Sequence, residues 1–165
     1  MSKIKAIIFD YDGVIAESVN VKTEAFAELY RHCGDKVVQN VVNHHEANGG
    51  ISRFEKFRIY HNEFLGKEID DIEVEELASQ FSNLVLQKVI DSQYVTGAYE
   101  FIVANYENYE FFISTGTPTS EIEIILKNKN IKKYFVNIFG SPEKKDIHVA
   151  EIMMNNKFQN DEIIF

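Results

Sequence analysis

Apolar and polar positions follow two different periods along this chain. Residues 4–9 form a short, nearly continuous apolar run rich in β-branched side chains, the pattern of a strand buried on both faces of a parallel sheet. Past Ile15 the period lengthens to that of a helix: Phe26, Leu29 and Tyr30 recur on one face, then Val37, Val38, Val41 and Val42. Gly49-Gly50 interrupts the pattern. Ser52, with Glu55 three residues on, has the form of a capping box and predicts a helix over about 53–64, closed by Gly66. A longer helix follows over 73–90, with Leu77, Phe81, Leu84 and Val85 facing inward. Beyond Ser92 the two periods alternate: helix 97–105, strand 111–114, helix 121–127, strand 136–139 and a fourth parallel strand over 161–165.

This order predicts an α/β fold, a Rossmann-like parallel sheet core with an inserted all-helical domain. The core takes residues 1–15 and 92–165, and the helical insert takes 16–91. The two crossings, near Ala16 and Ser92, would let the insert open and close over the end of the first strand. No internal repeat or low-complexity segment complicates the division.

The first strand runs straight into Asp10-Tyr11-Asp12-Gly13-Val14. Asp10 stands at the carboxyl end of its strand, where open α/β sheets place their ligands. Alternation puts Asp10 and Asp12 on one side of the backbone, and Gly13 allows the sharp turn that follows. Two adjacent carboxylates repel, and a bound cation such as Mg2+ relieves the repulsion, which makes Asp10 and Asp12 candidate metal ligands. A carboxylate beside such an ion can attack phosphorus while its neighbour moves a proton to or from the leaving oxygen. A turn carrying two solvated aspartates is the alternative. A second candidate element is Ser114-Thr115-Gly116-Thr117-Pro118, where a strand ends in hydroxyls, a Gly and a helix-starting Pro. Its hydroxyls and free backbone N–H groups can face one phosphate.

The segment from Ile7 to Ile15, with its Asp-x-Asp-Gly-Val, resembles the opening motif of the haloacid dehalogenase-like (HAD) hydrolase superfamily, in its phosphoglycolate phosphatase and β-phosphoglucomutase branch. The resemblance implies that Asp10 is a nucleophile forming an aspartyl-phosphate and that Asp12 is the general acid/base. Members that cleave carbon–halogen or carbon–phosphorus bonds lack the second aspartate, so Asp12 favours a phosphate ester. The second motif of the superfamily falls on Thr115, with Ser114 as runner-up, and adds Ser114 and Gly116 as substrate-binding candidates. Its third motif is a lysine after Gly140-Ser141-Pro142. Lys145 fits the usual spacing and Lys144 is the alternative; either would balance charge on the transferring phosphoryl group. The helical insert resembles the superfamily's cap. Within it, Gly49-Gly50-Ile51-Ser52-Arg53 is similar to a loop that hexose phosphomutases use to grip a substrate phosphate. That makes Arg53 a substrate-binding candidate, against the alternative of an exposed basic helix start. His44 and His45 are candidate neighbours of the same pocket. Lys22 stands where those mutases carry a His, a departure from the mutase pattern.

Relatives follow their fourth strand with Gly-Asp and a further Asp that complete the magnesium shell, and the 165-residue sequence stops before that point. The resemblance therefore implies a Mg2+-dependent phosphatase of a small phosphorylated metabolite, such as phosphoglycolate or a sugar phosphate, impaired in this length of chain. A non-catalytic remnant of the fold and a hexose phosphomutase are the alternatives.

Charge narrows the partners further. A net charge of −9 disfavours an extended phosphate backbone, so nucleic acid is not expected as a ligand, while one local positive site suffices for a small phosphate ester. The single cysteine, Cys33, excludes an internal disulfide. The opening apolar run is too short to span a membrane and no signal peptide precedes it, so the expected location is the cytoplasm, without membrane association.

Overall fold

Four parallel strands hydrogen-bond in the order β3-β2-β1-β4: β1 is Ala6–Phe9, β2 Glu110–Pro118, β3 Asn137–Ser141 and β4 Ile163–Ile164. The strand carrying Asp10 at its end thus lies between β2 and β4. The computed structural model describes residues 3–165. It divides into two compact units, one formed by Met1–Glu17 with Ser92–Phe165 and the other by Ser18–Asp91.

Strand alternation builds the sheet unit as a layered core. Phe9 and Phe111 share one face, where the Phe9 ring lies 6.3 Å from Phe101 of α5 (Ala98–Asn105), 5.1 Å from Phe111 and 6.1 Å from Phe135. Ala6, Ile8 and Phe112 occupy the other face and bury against Ile152 of α7 (Lys145–Asn156) and Phe158. Helices therefore cover both faces of the sheet, which is why its strands read as continuous apolar runs. The remaining helix of this unit, α6 (Thr119–Asn128), leaves β2 directly after Pro118. The crossing segments run side by side: Glu17 N donates to the Gln93 carbonyl at 2.9 Å and Val95 N to the Ile15 carbonyl at 3.0 Å.

The fourth and second strands differ most in length from the sequence reading. The fourth is confined to Ile163–Ile164, because Asn160–Glu162 forms a 3-10 turn in which the Glu162 carboxylate accepts from Gln159 N at 3.0 Å. The second continues to Pro118 rather than ending at Ser114. Its register slips between the pairs Ser114↔Phe139 and Pro118↔Ser141, so β2 uses more residues than β3 over that step. The surplus is a bulge that displays Thr115-Gly116-Thr117 at the sheet's carboxyl edge, a frequent place for such irregularities. Gly140 makes the bulge possible. A Cβ there would collide with the Thr117 carbonyl oxygen and come within 2.6 Å of Thr119 N. Gly140→Ala is accordingly expected to lower stability by about 1–3 kcal/mol in urea unfolding; an unchanged midpoint would mean that β3 moves away from the bulge without cost.

The other unit is all helical: α1 (Val19–Tyr30), α2 (Asp35–Ala47), α3 (Arg53–Ile59) and α4 (Asp71–Asp91). Phe26 is its hub, with ring centroids 5.7 Å from Phe57, 5.7 Å from Tyr60 and 4.4 Å from Phe81. Val74, Ala78, Phe81, Val85 and Val89 make the buried stripe of α4 at intervals of three and four residues. Ser52 caps α3, its Oγ accepting from Glu55 N at 3.3 Å. The single helix expected over 53–64 changes character partway, with Tyr60–Phe64 forming a π turn. Among the described residues, no helix is long and apolar enough to cross a membrane.

Candidate active site

The sheet's carboxyl edge gathers the polar residues of the first unit. Asp10 follows the last paired residue of β1, and its Oδ1 accepts a hydrogen bond from Tyr11 N at 2.7 Å. Gly13 then adopts φ +74° and donates to the Ala16 carbonyl at 2.8 Å. The Tyr11 carbonyl accepts from Ile15 N at 2.9 Å, which closes the turn after Asp12. Tyr11 is itself fully buried. Burial first, and the neighbouring Asp12 carboxylate second, raise its phenol far above the ordinary range, so Tyr11 stays neutral between two acids.

Lys145, the first residue of α7, places its Nζ 2.5 Å from Asp10 Oδ2. The side chains of this pair are each 26% exposed, open enough for a ligand to reach them. Lys144 occupies the preceding N-cap position and is exposed. On the β2 bulge, Thr115 Oγ1 accepts from Thr117 N at 3.3 Å, and Thr117 Oγ1 donates to Asp12 Oδ2 at 3.4 Å. Thr115 and Thr117 are both about 1% exposed, so the bulge presents buried hydroxyls and not a solvated turn. Ser114 faces differently. Its Oγ lies 2.9 Å from Nδ1 of His148, on the α7 side of the sheet. Asp10, Asp12, Thr115 and Lys145 thus come together at one edge, with Gly116 within the same bulge. A strand end with paired carboxylates, an ammonium held against one of them and hydroxyls alongside can accept a phosphoryl group and shuttle a proton.

Comparison with known proteins decides the family. The sequence model of the haloacid dehalogenase-like hydrolases matches residues 4–165. The chain belongs to this family. Solved structures agree on the fold. A haloacid dehalogenase-like family hydrolase from Streptococcus pneumoniae aligns over 99% of this chain and 75% of its own, at 19% identity and a TM-score of 0.68. A predicted phosphoglycolate phosphatase from Haemophilus somnus aligns over 99% and 76%, at 17% identity and a TM-score of 0.69. A β-phosphoglucomutase from Clostridium difficile aligns over 97% and 74%, at 20% identity and a TM-score of 0.75. At such identities the likeness speaks for the fold alone. No curated protein matches the chain.

Haloacid dehalogenase-like hydrolases generally use Mg2+. Among the described residues, no group of three or more His, Cys, Asp or Glu side chains is gathered to hold a metal ion. Asp10 and Asp12 supply carboxylate oxygens at one edge; an ion held by these two would draw the rest of its octahedral shell from substrate phosphate and water.

Arg53 belongs to the helical unit, where it is 4% exposed. Its Nη1 donates to Ser82 Oγ at 2.7 Å and its guanidinium lies 4.5 Å from the Phe81 ring centroid. Lys56 Nζ sits 2.7 Å from Nδ1 of His45, both buried, while burial and then Lys56 lower the pKa of His44. The exposed basic helix start weighed for Arg53 is not what the fold provides. Two contacts of the sheet unit escaped the sequence reading, that of Thr117 with Asp12 and that of His148 with Ser114. Thr117 could have been found from its spacing, two residues beyond Thr115 and so on the same side of an extended chain. His148 gave no signal, since a histidine on an amphipathic helix resembles any other half-polar position.

Proposed function

We propose that this hydrolase is a phosphatase of small phosphate esters, such as phosphoglycolate or a sugar phosphate, acting through an aspartyl-phosphate at Asp10. The observation that carries the reading is the Lys145 ammonium set 2.5 Å from Asp10 Oδ2 at the carboxyl edge of a parallel sheet. Asp10 is the nucleophile, and Lys145 offsets the charge that its carboxylate and the phosphoryl oxygens bring together. Asp12, held by Thr117, donates a proton to the leaving oxygen and then accepts one from the water that opens the acyl phosphate. Thr115 and the Gly116 backbone bind the phosphoryl oxygens, with Lys144 nearby at the exposed start of α7. The helical unit serves as the cap. Mg2+, held by Asp10 and Asp12, supplies charge neutralisation of the phosphate when bound. The protein acts in the cytoplasm on soluble metabolites.

The test is the leaving group. Asp12→Asn is expected to cost about a hundredfold in kcat/KM on an alkyl phosphate, whose alkoxide needs a proton, and far less on a nitrophenyl phosphate. Equal losses on both esters would remove Asp12 from the acid/base role.

A further inference from the structure

Beneath the reacting edge lies a second polar link, made by residues that the proposed chemistry does not use. Ser114 Oγ and His148 Nδ1 are 2.9 Å apart, and both residues are 0% exposed. Ile8, Phe112, Ile152 and the partly buried Val149 line the same face of the sheet, and the Phe139 ring lies 5.4 Å from the imidazole at 32°. A buried imidazole and hydroxyl cost free energy unless they pair, and an aliphatic side chain would fill the space without that cost. A directional bond does what packing does not: it fixes the height and rotation of a helix on a strand.

The link sits where such control matters. α7 begins at Lys145, and His148 follows three residues later, within one helical turn; His148 N closes that turn on the Lys144 carbonyl at 3.1 Å. The last pair of β1 and β2 is Phe9↔Ile113, so Asp10 and Ser114 each stand one residue further along adjacent strands. α7 therefore makes two polar links to neighbouring positions of the sheet, Lys145 to Asp10 and His148 to Ser114. The first involves a long, flexible side chain; the second involves short, fully buried ones.

We propose that the Ser114–His148 hydrogen bond pins the first turn of α7 to β2, which makes His148 a positioning residue for Lys145. The inference rests on the reading of Asp10 and Lys145 as the site of phosphoryl transfer. The neutral imidazole can hold this bond either way: with hydrogen on Nε2, Ser114 donates to Nδ1, and with hydrogen on Nδ1, Ser114 Oγ accepts. Burial lowers the pKa of His148 and favours this neutral form; Glu143, the Gly140 carbonyl and Glu151 oppose the shift, and Lys145 adds to it. Ser114, a substrate-binding candidate from the sequence, is thereby given a different task.

The experiment uses Ser114→Ala, His148→Phe, His148→Asn and the double variant Ser114→Ala/His148→Phe in the 165-residue chain. One readout is the Lys145 ammonium resonance in 15N-edited spectra, assigned by its loss in Lys145→Met. The other is kcat and KM on nitrophenyl phosphate. Ser114→Ala and His148→Phe are each expected to lower kcat about tenfold with KM within about twofold, and to broaden or shift the Lys145 resonance. His148→Asn, which keeps a hydrogen-bonding group near the Nδ1 position, should recover both readouts. The double variant should be no worse than either single change, since both remove one bond. A wild-type resonance and kcat in His148→Phe would overturn the proposal, as would an Asn variant as impaired as Phe, or a Ser114→Ala effect confined to KM. Should His148→Phe fail to fold, Ser114→Ala carries the test alone. If Asp10→Asn leaves turnover intact, the functional reading fails, while the Lys145 resonance still decides whether His148 positions it.

Discussion

Asp10→Asn is expected to abolish aspartyl-phosphate formation and to lower turnover of nitrophenyl phosphate by about a thousandfold or more. The amide keeps the shape of the carboxylate but has no anionic oxygen to attack phosphorus, and its adduct would not be an acyl phosphate. It also removes the ion pair with Lys145, so the ammonium loses the anchor that holds it at 2.5 Å. A carboxylate that only bound metal would show a milder pattern, with activity partly restored by raising Mg2+. Failure of Mg2+ to rescue the Asn variant separates a nucleophile from a ligand. The measurement is kcat across a magnesium titration, with circular dichroism to confirm that the variant folds.

The second large effect concerns the metal shell. β4 pairs in parallel with β1 through Ala6↔Ile163 and Ile7↔Ile164. Continuing that register, the second residue after Phe165 stands level with Asp10. A version of the polypeptide lengthened by Gly-Asp and a further acidic turn would thus set a new carboxylate beside the existing pair. The position is close to the site, since Lys145 Nζ lies 5.5 Å from the Phe165 ring centroid. Mg2+ neutralises repulsion between a carboxylate nucleophile and a dianionic phosphate, worth several kcal/mol in the transition state. At 1.36 kcal/mol per tenfold, a fuller shell is expected to raise Mg2+-dependent turnover by roughly a thousandfold. The check is kcat and the apparent Mg2+ affinity of both lengths. Equal, Asp10-dependent turnover would show that Asp10 and Asp12 suffice with substrate and water.

How much of this was legible in the sequence follows from the range of each interaction. The parallel strands announced themselves because helices cover both faces of the sheet, leaving Ile7, Ile8 and Phe9 no polar alternation. Asp10, Asp12 and Gly13 were readable because they are adjacent and their geometry is local. The β2 bulge was not, because it arises from the register between Ser114 and Pro118 against β3, and from Gly140 on another strand. The choice between Lys144 and Lys145 also needed three dimensions: Lys144 is the extended N-cap, Lys145 is the first helical residue, and it is Lys145 whose ammonium meets Asp10. The π turn at Tyr60–Phe64 left no mark in a period that continues as helix. The Ser114–His148 contact spans 34 residues and joins two unremarkable side chains, so no local pattern encoded it.

The central claim is that phosphoryl transfer passes through Asp10, and borohydride trapping tests it most directly. The 165-residue chain is incubated with Mg2+ and nitrophenyl phosphate, quenched with borohydride and mapped by peptide mass spectrometry. An acyl phosphate at Asp10 is reduced, so the account predicts homoserine at position 10 in a substrate-dependent fraction of the protein, absent from Asp10→Asn. Turnover without reduction at position 10, or reduction at another carboxylate, would contradict it.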